Sequence, residues 1–337
     1  LRRDWSSDVC SSDLALAIVA SETDVYREHV ESGAIVTRAA KSHIRFGHFE
    51  LFASRRQTAE VKKLADFVID HYYPQLKGKD SYLQLFKTVI LSTAVMIARW
   101  QAQGFSHGVM NSDNMSILGL TIDYGPFSFM ETYNPSFICN HSDHQGRYSF
   151  ERQPSVALWN LDRLANAIRS LIDETHLKDA LAEYEGFLVK EYSALMRQKF
   201  GLVEVNDDDS KLVSDYLQLL YVHRKDYPLS MRLLSKEDNN MGSDFDSWFQ
   251  RYHQRLTQEK IKPNQRQKSM DSVNPKYVLR NYLAEVAIRK AEDRHQYDEI
   301  DTLFNLLKNP FEEHKGFDSY TKEAPEWAKN LELSCSS

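Results

Sequence analysis

Glycine is scarce in this chain, with 12 in 337 residues and none clustered near the start, which excludes a glycine-rich loop cradling phosphates. Cysteine is scarcer: of Cys10, Cys139 and Cys335, none supplies a finger-like partner for the pair His141 and His144. Those histidines and Asp143 are therefore expected to form a hydrogen-bonded loop cluster rather than a zinc site. No uninterrupted apolar run reaches the roughly 18 residues that span a bilayer. The most apolar stretch, 89–98, reads as the interior of a buried helix. Charge of one sign is not concentrated either. The 42 basic and 48 acidic residues are interspersed for a net charge of −6, so there is no basic stripe for nucleic acid. At 42% hydrophobic, the chain has ample material for a core, and a soluble globular protein with neither membrane nor nucleic-acid partners is expected.

The informative segment is His107-Gly108-Val109-Met110-Asn111-Ser112-Asp113-Asn114, followed by Asp123-Tyr124-Gly125. A protein-kinase catalytic loop, H-R-D-L-x-x-x-N, places a base at its third position and a metal ligand at its last, and a later D-F-G supplies a metal carboxylate. On that frame Val109 stands where the base should be, and valine accepts no proton. Asn114 and Asp123 retain the metal pair, and Asp113 adds a carboxylate. Met115, Ile117, Leu118, Leu120 and Ile122 around Gly119 predict two short strands that deliver Asp123. An amide oxygen and a carboxylate suit Mg²⁺ or Mn²⁺. The fold class expected is α+β and protein-kinase-like, a pseudokinase with a helix-rich C-lobe.

Thr37-Arg38, the run from Ser42 to Glu50, the run from His107 to Asp123, and Asn140 to Tyr148 together resemble the selenoprotein O family, whose bacterial members include YdiU. The resemblance runs from about residue 15 to the end. It implies a pseudokinase-fold enzyme that transfers a nucleoside monophosphate to Ser, Thr or Tyr hydroxyls of client proteins. AMP from ATP is the family's best-known transfer, and UMP from UTP is also attributed to bacterial members. Carried over position by position, the base falls on Asp113, the metal ligands on Asn114 and Asp123, and the phosphate-binding arginines on Arg38 and Arg45. Attack at the α-phosphorus makes pyrophosphate the leaving group, so the nucleotide must bind flipped relative to a kinase. Guanidinium forks suit the grip on β- and γ-phosphates. The resemblance also implies a redox disulfide between Cys139 and Cys335; two unconnected thiols in a reducing cytosol are the alternative.

Residues 1–14, with Ser6-Ser7-Asp8 repeated as Ser11-Ser12-Asp13, look like a non-native artefact. With family features of the nucleotide-holding lobe not found in the sequence, most of the N-lobe is expected to be missing and the fragment's activity to be weak. The organisation expected is a remnant N-lobe over 15–50 with strands at 16–20 and 34–39 and a hinge near 46–52. A C-lobe follows over 51–200, then a helical extension over 201–337 with the redox tail. Helices are predicted at 57–72, 80–103, 158–172, 177–200, 211–222, 245–258 and 278–291, with loops at 126–152, 207–209 and 259–272. Pro275 is expected near a helix start. His107 is expected to hold backbone, and His43 and His48 flank Arg45. A cytoplasmic monomer is the expected setting. A non-catalytic scaffold would explain Val109 but not the retained polar set, and a small-molecule phosphotransferase would need Asp at that position.

Overall fold

A computed structural model describes residues 14–26, 30–236 and 241–331. The architecture is α+β: two small antiparallel sheets and a large helical body. Strands β1 (Leu14–Tyr26) and β2 (Val30–Ala39) form an antiparallel hairpin from Leu14 opposite Ala39 to Tyr26 opposite Val30, with the register shifting after Ala15 and again after Ala20. Successive strand residues face opposite sides of a sheet. Adjacent Ile18 and Val19 are 68% and 59% exposed, so both faces of this apolar hairpin are bare.

Helix α1 (Phe46–Ser54) occupies the expected hinge. Phe46 and Phe49 on it are buried, and that pull on one helical face overrides a linker reading of the segment. Helix α2 (Thr58–Tyr72) lies where its spacing predicts, as does α3 (Ser81–Gln103), which stops at Gly104. Among the described residues α3 is the helix long and apolar enough to cross a membrane by length and composition. Here it is the core's axis, burying Leu85, Phe86, Val89, Ile90, Ile97 and Trp100 among others.

Short strands β3 (Phe105–Ser106) and β4 (Ser128–Phe129) pair beyond α3. Helix α4 (Gln153–Ile168) begins five residues before its predicted start, and α5 (Glu174–Lys199) runs against α3, where Lys87 Nζ meets Glu183 Oε1 at 2.6 Å. Asp173 caps α5 by accepting the Thr175 N–H.

Six helices follow: α6 (Asp209–Val222), α7 (Tyr227–Leu234), α8 (Asp246–Leu256), α9 (Pro263–Asp271), α10 (Asn281–Arg294) and α11 (Asp298–Lys308). Four of these differ from expectation. The polar stretch predicted as loop holds α9, which needs only Met270 and the stem of Arg266 to dock. Helix α7 is too short to show a period, though Asp226 caps it and Pro228 opens it. Helix α11 falls in a stretch with no predicted element and buries Leu303 and Leu306. Helix α10 starts six residues after Pro275, which does not sit at its first turn.

One buried cluster joins α1 to α5. A second joins Ala102, Met130 and Phe150 to α5, α6, α7, α8 and α9, centred on Trp248, Tyr216 and Tyr252. The catalytic-type loop emerges between them.

Candidate active site

The site begins with a backbone seam. Phe46 N–H donates to Met115 O at 2.9 Å and Ile117 N–H to Ile44 O at 3.0 Å, and Arg45 bridges Ser116. This seam carries the start of α1 alongside the 112–117 turn. A side-chain carbon at Gly47 would lie 3.1 Å from Asp113 Cα and Cβ, so glycine there permits the close approach. The expected strand pair around Gly119 shrinks to a single bridge between Met115 and Thr121, and Ser112–Asn114 forms one turn of 3₁₀ helix.

Asp123 is the centre of the arrangement. Its φ of 53° lies in the left-handed region, which Asp and Asn tolerate better than most residues and which clusters at functional sites. Arg38 Nη1 pairs with its Oδ1, and Arg45 Nη2 lies 2.6 Å from its Oδ2. Two guanidiniums expected to hold phosphate thus converge on the carboxylate expected to hold metal. Asn114 Nδ2 donates to Val109 O at 3.0 Å, which commits the amide nitrogen and leaves Oδ1 as the ligand atom. Asp113 is exposed, while Val109 is half-buried.

The loop holding these groups is suspended from buried side chains. His107 is fully buried; its Nε2 lies 2.8 Å from Ile122 O, and its Nδ1 lies 3.4 Å from Val109 N. Donation from Nε2 to the carbonyl and acceptance at Nδ1 require the neutral Nε2-protonated ring. Burial favours that form by pushing the imidazole below its ordinary pKa, with the Ile122 carbonyl opposing. The expected backbone-holding role of His107 is therefore met, and its target is the residue before Asp123. Trp100 packs 5.2 Å from the His107 ring and donates its indole N–H to Thr121 Oγ1 at 3.0 Å.

Three carboxamides complete the suspension, and sequence reasoning missed all of them. Gln153 accepts the His107 N–H at 3.0 Å and donates to Phe105 O at 2.9 Å. Asn160 donates to Met110 O at 2.8 Å, and Asn140 to Gly108 O at 3.3 Å. A signal was present: Gln153 and Asn160 lie seven residues apart, on the same helical face as Ala157, Leu161 and Leu164. Polar side chains at core positions carry hydrogen bonds.

His48 also has a definite role. Its Nδ1 accepts the Arg45 N–H at 3.1 Å, the reciprocal bond usually supplied by Glu or Gln at this helix position. Burial first and the Arg45 charge second lower its pKa, which keeps that nitrogen an acceptor. Asp143 behaves as expected of a loop cluster. It accepts the Arg147 and Tyr148 N–H groups at 2.9 and 2.8 Å, and the His141 and His144 rings stand 6.0 Å apart. Cys139 is buried beneath the loop, donating to Ser106 O at 3.5 Å, while Cys10 and Cys335 lie outside the described residues.

Asn114 and Asp123 offer an amide oxygen and a carboxylate, the donor types that hard divalent cations take. Both Asp123 oxygens are here paired with guanidiniums, which a cation would have to displace, and among the described residues no group of three His, Cys, Asp or Glu forms a self-sufficient metal cage.

A family model described as Protein adenylyltransferase SelO matches residues 9–308, beginning inside the segment set aside as non-native and running through α11. The match takes in the hairpin, the suspended loop and the helices that hold it, and the chain belongs to the protein adenylyltransferase SelO family.

Proposed function

We propose that this chain transfers AMP from ATP to Ser, Thr or Tyr hydroxyls of client proteins, in a metal-dependent reaction at the Asp113–Asp123 loop. Membership of the family supports adenylyl transfer as the class of activity. The observation that carries the finer reading is the convergence of Arg38 and Arg45 on Asp123, in a loop with valine at the kinase base position.

In this reading the client hydroxyl oxygen attacks the α-phosphorus and passes its proton to the exposed Asp113 carboxylate. A phosphoester bond to the client forms, the bond to the β-phosphate breaks, and pyrophosphate leaves. Arg38 and Arg45 turn from the carboxylate to the β- and γ-phosphates, where bidentate guanidinium contacts stabilise the leaving group's charge. Asn114 and Asp123 would hold Mg²⁺ or Mn²⁺, which supplies electrophilic activation of the phosphates. His107, Gln153 and Asn160 keep the loop in place. Main-chain rigidity of this kind is what lets positioned groups act without reorganising.

The kinase-like description of the fold belongs to the same proposal. Support for it comes from the order hairpin, buried helix, H-G loop, and carboxylate behind a short bridge. The bare apolar faces of β1 and β2 suit part of a larger sheet-bearing lobe. A redox brake through Cys139 and Cys335 is also proposed. It draws support from Cys139, whose Sγ would lie 2.8 Å from a side-chain carbon at Gly108, so that a change at this sulfur is felt in the loop.

The test is self-labelling and protein labelling with α-³²P-ATP and γ-³²P-ATP in Mg²⁺ or Mn²⁺, beside Asp123→Ala. Metal-dependent α-label, absent with γ-label and lost in the variant, is expected. Label from the γ position would replace the proposal with phosphotransfer.

A further inference from the structure

The solvent face of α4 carries an unusual set. Arg152, Ser155, Val156, Trp159 and Arg163 recur at three- and four-residue steps opposite the buried carboxamide face. With Gln145 and Arg147 from the preceding loop, the first four of these line an open cleft of about 580 Å³. Trp159 is 44% exposed, and the Arg147 and Arg163 guanidiniums stand 5.0 and 5.4 Å from its ring. Arg163 is partly spent on Asp162, whose Oδ2 lies 2.5 Å away. Arg147 and Arg152 form no ion pair with a carboxylate among the described residues, their contacts being the Trp159 and Tyr148 rings and the Gly146 carbonyl. Two arginines thus stand beside an exposed tryptophan in one cleft, cationic and aromatic groups within reach of a single extended chain. Tryptophan and arginine are the side chains that most often dominate binding energy at interfaces.

The cleft adjoins the reaction loop. Tyr148, next to Arg147, donates its hydroxyl to Asn111 Oδ1 at 2.5 Å, two residues before Asp113, and the Asp113 charge reaches the Tyr148 phenol. A chain seated in the cleft would therefore lie beside the proposed base.

We infer that the Arg147–Arg152–Trp159 cleft docks an acidic segment of the client protein and so presents a nearby hydroxyl to Asp113. This rests on the proposed transfer reading and names the client's chemistry. Glutamate or aspartate pairs with the two arginines, and an apolar or aromatic neighbour covers the Trp159 ring. Nucleic acid is disfavoured by the net charge of −6, with basic and acidic residues interspersed along the chain.

The probe is a fluorescein-labelled, serine-containing peptide rich in Glu, followed by anisotropy without nucleotide, beside a Lys-for-Glu version. The acidic peptide is expected to bind in a salt-sensitive manner, and Arg147→Glu with Arg152→Glu, or Trp159→Ala, should each weaken it by about tenfold or more. Equal binding of the two peptides, or no loss in these variants, overturns the inference. So does displacement of the peptide by free ATP from the Asp123→Ala protein, which would make the cleft a phosphate site. Because binding is read without nucleotide, a chain that docks the peptide yet transfers no α-label upholds the cleft and removes the transfer reading. Transfer to the peptide undiminished in the double variant upholds transfer and removes the cleft.

Discussion

Arg38 and Arg45 end at the same carboxylate, yet the two regions that bring them there are built on opposite principles. Arg45 caps a helix whose first residues are stitched to the 115–117 backbone, under a loop hung from His107, Gln153, Asn140 and Asn160. Arg38 rides on a hairpin whose apolar residues face solvent on both sides. The comparison teaches that equal charge and equal target do not mean equal preorganisation. One arginine is positioned by the core, the other by its own strand pair.

Substitutions that distinguish the two regions should differ sharply in cost. Gly108 has a φ of +83°, and a side-chain carbon there would meet Cys139 Sγ at 2.8 Å and Pro126 O at 2.9 Å. Gly108→Ala is expected to lower stability by about 3 kcal/mol in denaturant unfolding, since strain and overlap add. Asn160→Ala orphans the buried Met110 carbonyl and should cost about 2 kcal/mol, with a larger loss in transfer than in ATP binding.

The helical side should also titrate. Lys199 is fully buried, donates to Gln103 Oε1 at 2.9 Å at the end of α3, and is depressed by burial to about 7 from the ordinary 10.5. Between those values the unfolded chain binds the extra proton, so stability rises as pH climbs from about 7, with a slope of up to about 1.4 kcal/mol per pH unit. Burial holds the Tyr216 and Tyr227 hydroxyls protonated well above their ordinary 10.0, so stability turns down once pH passes about 10. Lys199→Met should abolish the rise in a melting-temperature series across pH. At the small end, Ile18→Thr in the hairpin should change global stability by less than about 0.5 kcal/mol. A loss comparable to that of Asn160→Ala would break the comparison, because it would mean the hairpin belongs to the same cooperative core.

Helices with strong periods, α2, α3, α5 and α6, were legible from the sequence because each buries one stripe against a core. Helix α9 was not, since two long side chains suffice to dock it and the rest of its surface is polar. The Asp113, Asn114 and Asp123 set was legible as a motif, but spacing alone could not bring Arg38 to Asp123, 85 residues away. Family resemblance placed Arg38 in the same site as a phosphate ligand, and its pairing with Asp123 is a finding of the structure. The carboxamides were missed because Asn and Gln are usually surface residues; for Gln153 and Asn160 only their place on a buried helical face distinguishes them, and Asn140 lies in a loop with no such signal.

The close approach at Gly47 has a mechanical consequence. With the Asp113 backbone in contact with the first turn of α1, and with Arg45 opening that same turn, Arg45, Asp113 and Asn114 share one frame and cannot be displaced separately. If the proposed transfer holds, any opening or closing around the nucleotide would be one-sided, with the hairpin bearing Arg38 moving against a shared floor.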